Sequence, residues 1–369
     1  MFRPLAWLLA TVALCTPAFG QAEKPKIVTK AVSFNTADGV ELQGTLYNSS
    51  KGAASPCVML LHSLGKNPNE GDWDGLALML ADKGFTVLRF DFRGHGKSFV
   101  VDAKKFWGNQ HGTINQRYMP QLAAKNPLPV RLDYKDFQNK PGYFPQLAND
   151  ILAARYFLDQ ENDGGTVNTS SVYLIGATDA ATIGMIYMTA EWQRPKTKPL
   201  AGNLSTLPPP QNELVGTNGV EPAGTDVAGA IWLSASLHSS MPDTSIKKLP
   251  AISPDLRDKN PMWFLYGADD KTNATGMKMS QYFYQTVLQS KPPAMSKLQP
   301  LKFNELVDIK GTKNVGVNLL GNKLGTEEKI VDFLEKIEKD RKSPARVPNR
   351  GYTAPPLLLA DRYGGFTVR

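Results

Sequence analysis

Residues 172–184, VYLIGATDAATIG, place the strongest limit on what this chain can fold into. An apolar run suited to a buried strand stops at Gly176, and a helix-compatible run of small residues follows within a few positions. A strand that passes into a helix through a tight turn is typical of a sheet covered by helices. The pattern therefore predicts an α/β protein with this strand near the centre of its sheet.

Strand and helix signals alternate along the rest of the chain, which indicates a mostly parallel sheet with helices on both faces. A hairpin is predicted first, over residues 31–47, with Asp38-Gly39 in its turn. Further strands and helices are predicted at residues 56–61, 72–83, 85–90, 145–160, 172–175, 227–233, 261–266, 274–289, 302–309 and 327–339. Because sites in such sheets form at the carboxyl ends of strands, functional residues are expected in the loops that follow them.

The N-terminal segment has the composition of an export signal. Arg3 precedes an apolar run at residues 5–15, and small residues then allow cleavage after Gly20, with cleavage after Ala22 as the alternative. The apolar run is too short to span a bilayer comfortably, which favours cleavage over anchoring. The predicted destination is the periplasm or the outside of the cell.

The rest of the chain is predicted to form one large domain and a basic tail. A chain of 369 residues with 41% apolar and 21% charged residues suits a single α/β domain with an ordinary core. Two stretches without clean periodicity are interpreted as insertions into it. The expected boundaries are 1–20 for the signal peptide, 21–340 for the domain, about 100–144 and 193–225 for the insertions, and 341–369 for the tail.

Composition and spacing give no support to metal, cofactor or nucleic-acid binding. The sequence has no His/Cys cluster with zinc spacing and no glycine-rich phosphate loop, and a net charge of +8 is a mild bias on a chain of this size. One cysteine, Cys57, remains after cleavage, so no internal disulfide can form. We expect no cofactor, no nucleic-acid partner and no integral membrane segment after cleavage, and a protein partner is left open.

Four motifs in chain order resemble the α/β-hydrolase fold family over roughly residues 32–339. LLHSLG at 60–65 is similar to the family's oxyanion strand, and DFRGHGKS at 91–98 to the turn after its next strand. GATDA at 176–180 is similar to the Gly-x-Ser-x-Gly nucleophile turn, and GADD at 267–270 to the family's Gly-x-x-Asp. The resemblance implies an α/β-hydrolase fold and an esterase-like site for an acyl, ester or other small-molecule ligand.

The resemblance also implies a catalytic triad, of which only the acid position is intact. Thr178 stands at the nucleophile position, Asp270 at the acid position with Asp269 as the next choice, and Asn314 at the histidine position. Threonine is β-branched and poorly suited to a strained turn, and asparagine cannot accept and return a proton near neutral pH. Two altered positions favour a non-catalytic or strongly impaired protein, a pseudoenzyme.

The oxyanion region implied by the resemblance is altered as well. It comprises His62, Ser63 and Leu64 after one strand and Asp179 after the nucleophile position. Ser63 replaces a usual glycine and narrows the space, and a carboxylate at 179 would oppose developing negative charge unless it points away. A register shift of one residue would make Asp179 the nucleophile, but Gly176 argues against that shift.

His238 carries the alternative prediction, an active carboxylic-ester hydrolase with a variant site. It follows the strand at 227–233 and would act as base for Thr178, with Asp270 as the acid. No histidine follows it in the chain. The two predictions differ in one distance, because a catalytic His238 must place Nε2 about 2.6–3.2 Å from the Thr178 hydroxyl.

The remaining histidines are expected to have structural or surface roles. His62 ends the oxyanion strand, and His95 lies in a turn where Asp91 and Arg93 are predicted to form a polar network. His111, in the first insertion, is predicted to be exposed.

Overall fold

The computed structural model describes residues 27–108, 112–196, 221–239, 241, 243–271, 276–289, 302–348, 350, 355–360 and 366–368. The predicted signal peptide, His111 and most of the second predicted insertion lie outside the described residues. Within those ranges, no helix combines the length and the apolar character needed to cross a membrane.

A mixed sheet forms the centre of the described part of the chain. Its strands are β1 (Val28–Asn35), β2 (Val40–Asn48), β3 (Pro56–Leu61), β4 (Thr86–Phe90), β5 (Val100–Val101), β6 (Asn168–Ala177), β7 (Val227–Leu233), β8 (Met262–Gly267) and β9 (Glu305–Ile309). The order across the sheet is β1-β2-β4-β3-β6-β7-β8-β9, with β5 beside β2. The β1–β2 and β2–β4 pairs are antiparallel, and every pair from β4 to β9 along this order is parallel. The predicted mostly parallel α/β sheet is thereby confirmed.

Helices cover both faces of this sheet. They are α1 (Trp73–Asp82), α2 (Ala103–Phe106), α3 (Thr113–Tyr118), α4 (Pro120–Ala123), α5 (Ala148–Asp163), α6 (Ala180–Gln193), α7 (Thr244–Ile252), α8 (Asp255–Lys259), α9 (Gly276–Phe283) and α10 (Thr326–Arg341). Side chains of α1 and α10 form one buried apolar cluster with the sheet, and side chains of α5, α6 and the first insertion form the other. Between the clusters, β3 and β6 are buried along their whole length, as expected for central parallel strands.

The central strand is longer than its apolar pattern indicates. The sequence predicts a start at residue 172, whereas β6 begins at Asn168. Its polar first residues are buried because the tail lies against them: the Asn168 amide donates to the Pro344 carbonyl, and the Ser170 hydroxyl donates to the Ala345 carbonyl. Hydrogen bonds to a segment distant in sequence thus satisfy the buried polar side chains at the start of this strand, and no local sequence pattern indicates those bonds.

Several helix boundaries also differ from the prediction. The helix expected from residue 145 opens as a 3-10 turn, Phe144–Leu147, before α5. The helix expected at 274–289 is α9 followed by a π-helical turn, Tyr284–Leu288. The helix expected at 327–339 is α10, which begins one residue earlier, at Thr326, after Gly325 in a left-handed conformation. No helix was predicted where α7 and α8 lie.

A buried ion cluster fixes the turn that follows β4. Arg93 is fully buried and forms salt bridges with Asp38 (2.8 Å) and Asp150 (2.7 Å). The predicted partner, Asp91, instead accepts a hydrogen bond from the Lys97 amide at 2.9 Å. The prediction failed because the carboxylates of Asp38 and Asp150 come from distant parts of the sequence.

The described part of the tail packs on the body of the protein. Arg350 is buried and pairs with Asp226, which also pairs with Arg155 at 3.0 Å. Farther along, the Leu358 amide donates to Asn149 Oδ1 (2.6 Å), and the Leu358 carbonyl accepts from Asn149 Nδ2 (3.0 Å). The strands β10 (Leu358–Ala360) and β11 (Phe366–Val368) then form an antiparallel pair.

Candidate functional site

The turn between β6 and α6 holds Thr178 in a left-handed backbone conformation. Its φ is 49°, whereas Asp179 has an ordinary helical φ of −72°. A non-glycine residue in this region carries strain of roughly 1–3 kcal/mol, and β-branching makes the position less favourable still. A strained residue between a strand and a helix is the nucleophile elbow geometry. Thr178 therefore occupies the elbow position, and a register shift to Asp179 does not fit this backbone.

The hydroxyl of Thr178 is engaged by its immediate neighbours. Its Oγ1 lies 2.7 Å from Ser63 Oγ and 3.2 Å from Asp179 Oδ1. These two groups are its hydrogen-bond partners in the described part of the chain. A hydroxyl nucleophile needs a base that takes its proton, usually an imidazole held by a third group. The described residues place no imidazole in that position.

The carboxylate of Asp179 turns into the oxyanion region. Its Oδ1 accepts a hydrogen bond of 2.9 Å from the backbone N–H of Leu64, in the loop after β3. In α/β-hydrolase sites, an N–H from this loop and the N–H of the residue after the nucleophile bind the oxyanion. The loop donor is thus already bound to a carboxylate of the same chain. A developing oxyanion would have to displace a fixed negative charge to reach it.

Asp179 is buried among neutral donors. The residue is only 9% exposed, and no described Lys or Arg forms a salt bridge with it. Burial raises the pKa of Asp179 to about 6, although hydrogen bonds from Leu64 and Thr178 act in the opposite direction. The carboxyl is therefore mainly ionised at neutral pH and carries its charge at the centre of the site.

His238 faces the first insertion. Its Nε2 lies 2.7 Å from the Tyr134 hydroxyl, and its ring stacks on Phe144 with 4.1 Å between centroids. Burial lowers the pKa of His238, so the ring is neutral at neutral pH and its Nε2 can accept the Tyr134 proton. His238 is not among the hydrogen-bond partners of Thr178 within the described residues, so it does not occupy the position required of a base.

The loop after β9 brings Gly316, rather than Asn314, against Thr178. A Cβ added to Gly316 would lie 2.7 Å from Thr178 Cγ2 and 3.9 Å from Ser63 Oγ, and the φ of Gly316 is +59°. Asn314 uses its side-chain amide within the loop, donating to the Asn318 carbonyl at 2.8 Å. The main chain of Gly316 therefore fills the space beside the methyl group of Thr178.

Asp270 lies at the same edge of the sheet, in the turn after β8. It is buried, its amide donates to the Gly267 carbonyl (3.1 Å), and its carboxylate packs against Gly276 at the start of α9. The Asp269 amide donates to the Thr312 carbonyl (2.9 Å), which joins this turn to the loop after β9. Asp270, the predicted acid, thus lies in a turn that is bonded to the loop carrying Asn314, and its carboxylate contacts Gly276, the first residue of α9.

Three observations identify the fold. They are the strand order of the sheet, the strained residue between β6 and α6, and the loop after β3 that is hydrogen-bonded to the turn holding that residue. The chain has an α/β-hydrolase fold. No protein-family model matches it, and a search of curated proteins finds no match.

Several solved hydrolase structures are similar to this chain at low identity. The Pyrococcus furiosus esterase Pf2001 shares 15% identity over 84% of this chain and 93% of its own, with a TM-score of 0.45. Dienelactone hydrolase from Anabaena variabilis shares 14% over 85% and 98%, with a TM-score of 0.44. The α/β hydrolase GrgF from a Penicillium species shares 13% over 84% and 98%, with a TM-score of 0.47. Likeness at this level carries no argument about activity or ligand.

Two other histidines shape the oxyanion loop of this α/β-hydrolase fold. His62 Nε2 accepts from the Phe92 amide (3.0 Å), and His62 Nδ1 donates to the Ser63 carbonyl (2.8 Å). His95 Nε2 accepts from the Gly65 amide (2.8 Å). Burial lowers the pKa of both rings, that of His62 to about 3. Both rings therefore stay neutral at neutral pH and hold the loop that presents the Leu64 N–H.

Tyr134 and Gly316 are site residues that the sequence pattern does not single out. Tyr134 belongs to an insertion without periodicity, so no local pattern separates it from the other aromatic residues there. Gly316 follows the predicted histidine position by two residues, and a glycine in such a loop is a usable signal for a close backbone approach. Its neighbour across the gap could not be identified without the structure.

Proposed function

We propose that this chain is an exported α/β-hydrolase-fold protein that does not hydrolyse esters by the triad mechanism and instead uses its fold for binding. The observation that carries the proposal is the hydrogen bond from the Leu64 N–H to Asp179 Oδ1. It supports the proposal because stabilisation of the oxyanion is among the largest contributions to acyl transfer, and that donor is occupied.

Two further observations support the same proposal. The hydroxyl of Thr178 is hydrogen-bonded to Ser63 and Asp179. His238, the one histidine predicted as a replacement base, is hydrogen-bonded to Tyr134. Triad residues act as a unit, so losing the base alone removes most of their combined advantage. An occupied oxyanion donor adds an obstacle that is independent of the base.

The assay that tests this proposal is hydrolysis of p-nitrophenyl acetate by the chain lacking residues 1–20. We compare it with Thr178→Ala, which removes the hydroxyl, and Thr178→Ser, which restores the usual nucleophile. The proposal expects all three to release p-nitrophenol at the same background rate, because neither a base nor a vacant oxyanion donor is supplied. Turnover in the unmodified chain that disappears in Thr178→Ala would overturn it.

The alternative is a variant ester hydrolase with Thr178 as nucleophile, Asp270 as acid and His238 as base. It requires His238 to leave Tyr134 and approach Thr178, and the same assay decides it. Turnover that is lost in both Thr178→Ala and His238→Ala, but kept in Tyr134→Phe, would establish this alternative.

Export is proposed from the composition of residues 1–20 alone. Expression of the full chain in a bacterium, followed by fractionation and N-terminal mass determination, tests it. A mature chain that begins at Gln21 in the periplasm or the medium is the expected result. An uncleaved chain in the cytoplasm would contradict it.

A further inference from the structure

The first insertion carries exposed cations with few acidic neighbours. No Asp or Glu occurs between Asp102 and Asp133, and the Lys and Arg residues of this stretch are Lys104, Lys105, Arg117, Lys125 and Arg131. All of them are exposed, and none forms a salt bridge with a described residue. At the ends of the stretch, the Asp102 carboxylate caps α2, and Asp133 pairs with Lys135 at 3.7 Å. The segment between them therefore carries a local excess of positive charge.

Exposed apolar side chains lie among these cations. Leu128 is 39% exposed and Val130 is 63% exposed, in the loop that runs from α4 to the partner segment of β5. Lys125 precedes this apolar pair and Arg131 follows it. Val100 of β5 is also exposed and lies opposite Arg131 in an antiparallel bridge, so the two side chains share one face. Exposed apolar groups rimmed by polar ones are typical of an interaction surface.

The loop that presents these side chains is fixed to the body of the insertion. The Val101 amide donates to the Val130 carbonyl at 3.0 Å. The buried Trp107 indole N–H donates to the Pro129 carbonyl at 2.8 Å, which joins the loop to the end of α2. Because α2 carries two of the exposed lysines, the bonded backbone presents the charged and the apolar side chains together.

Glu41 limits this surface on the side of β2. It pairs with Val100 in the sheet, and its carboxylate accepts hydrogen bonds from Ser33 (2.8 Å) and Gln43 (2.7 Å). The positive surface therefore extends away from β2, toward α2 and the loop that carries Val130.

We infer that the first insertion docks onto an anionic phospholipid membrane. The docking surface consists of six exposed side chains: Lys104, Lys105, Lys125, Leu128, Val130 and Arg131. Its cations meet the lipid phosphates, and its two apolar side chains enter the interface between headgroups and acyl chains. A soluble polyanion satisfies the cations equally well but offers no apolar environment, so the apolar pair favours lipid. The inference goes beyond the proposed function and does not depend on the chemistry at Thr178.

Sedimentation with lipid vesicles tests the inference. One set of vesicles contains equal parts of phosphatidylglycerol and phosphatidylcholine, and the other contains phosphatidylcholine alone. The protein is the chain lacking residues 1–20, because the apolar run at residues 5–15 would itself bind lipid. Heparin, measured by calorimetry, serves as the soluble polyanion.

One pair of variants tests the cations. Lys125→Gln with Arg131→Gln removes two charges from the docking surface. Lys329→Gln with Lys336→Gln is the control for the same change in net charge, because both lysines are exposed on α10, which packs on the other face of the sheet.

A second pair of variants tests the apolar side chains. Val130→Ser removes an apolar group from the docking surface. Val28→Ser is its matched control, since Val28 is 62% exposed and lies at the far end of β2 from β5. Circular dichroism and the unfolding midpoint of each variant verify that it is folded.

The expected result is binding to the anionic vesicles that is at least about tenfold tighter than binding to phosphatidylcholine. The double cation variant should weaken it about tenfold or more and Val130→Ser about threefold or more, whereas both controls leave it unchanged. No binding to anionic vesicles, equal binding to both vesicles, or equal losses in the controls would overturn the inference. Vesicle binding that Val130→Ser leaves unchanged, with heparin bound as tightly, would also overturn it and assign the surface to a soluble polyanion.

Discussion

Asp179 is the residue whose placement most changes the chemistry of the site. Its carboxylate binds the Leu64 N–H and forms no salt bridge with a described Lys or Arg, and the residue is only 9% exposed. Burial makes ionisation of this group costly in the folded protein, because the unfolded chain solvates the same carboxylate freely. The stability of the protein should therefore depend on the ionisation of this one side chain.

We predict that Asp179→Asn becomes more stable relative to the unmodified protein as the pH rises. The folded pKa of Asp179, about 6, lies above its unfolded value of 3.8. Its protonated form therefore contributes stability that is complete below pH 3.8 and is lost as the pH rises through 6. The free-energy difference between the two proteins should change by about 3 kcal/mol between pH 3.5 and pH 8.

Urea unfolding of the two proteins at pH values across this range measures the change. Asp332→Asn, at an exposed position of α10, is measured in parallel and controls for the loss of one charge. A difference between the Asp179→Asn and unmodified proteins that stays constant with pH would show that Asp179 is ordinarily solvated in the folded state.

At the residue scale, the sequence identifies the positions and leaves their contacts undetermined. GATDA predicts the elbow and the place of Thr178, because a strand, a tight turn and a helix are local features. The direction of the Asp179 side chain depends on a loop more than a hundred residues earlier, so the sequence alone leaves open whether the carboxylate points away. The same applies to Gly316, whose neighbour is Thr178 only in three dimensions.

At the scale of elements, the elbow and the loop after β9 form one packed unit. A Cβ on Gly316 would be 2.7 Å from Thr178 Cγ2, too close for any side chain without a shift. Gly311, in the same loop, also has a positive φ of 70°, but a Cβ there would meet nothing within 4 Å. Substitution of Gly311 therefore measures the cost of backbone strain alone, whereas substitution of Gly316 measures backbone strain together with crowding against Thr178.

We predict that Gly316→Ala destabilises the protein by more than about 2 kcal/mol, and Gly311→Ala by about 1 kcal/mol. Both alanines carry the left-handed backbone penalty, and only the first also collides with the threonine methyl group. Thr178→Ser removes that methyl group, so it should recover about 1 kcal/mol more in the Gly316→Ala background than in the Gly311→Ala background, where it relieves only the strain of the β-branched residue itself.

Thermal and urea unfolding of the four single and double variants measure this coupling. Equal costs for the two alanines, or a serine effect that is the same in both backgrounds, would show that the loop does not press on the elbow.

Element prediction succeeds where the pattern is local and fails where a distant segment supplies the partners. β3 and β7 match their predicted bounds because continuous apolar runs fix them. The start of β6 is missed because its polar residues are satisfied by the tail, and the Arg93 partners are missed because Asp38 and Asp150 are remote in sequence.

At the scale of the whole molecule, the tail packs against the amino-terminal end of the central strand β6, whereas the candidate site lies at the carboxyl-terminal end of that strand. Arg350 enters a buried cluster with Asp226, next to the first residues of β6, and its Nη2 donates to Ser170 Oγ at 2.8 Å. Asp226 keeps Arg155 (3.0 Å) and Lys196 (2.9 Å) as further partners. Buried pairs of this kind are costly to break, because the remaining charge stays desolvated.

We predict that Arg350→Ala lowers the free energy of unfolding by about 2 kcal/mol, less than for an isolated buried pair because Asp226 retains two cations. Arg346→Ala is the matched control: its guanidinium is only partly buried and donates to the Asn162 carbonyl at 2.8 Å. It should cost under about 1 kcal/mol. Urea unfolding compares them, and equal effects would mean that the tail is only loosely attached at Arg350.

The central claim, that the chain fills its own oxyanion position, has a direct spectroscopic test. In a protein labelled with ¹⁵N-leucine, the Leu64 amide can be followed by NMR as the pH is varied. If its N–H donates to the Asp179 carboxylate, its proton shift should titrate with a midpoint near pH 6, because the carboxyl's pKa is about 6. The titration should vanish in Asp179→Asn. A Leu64 shift that does not change with pH, or one that titrates equally in Asp179→Asn, would contradict the claim.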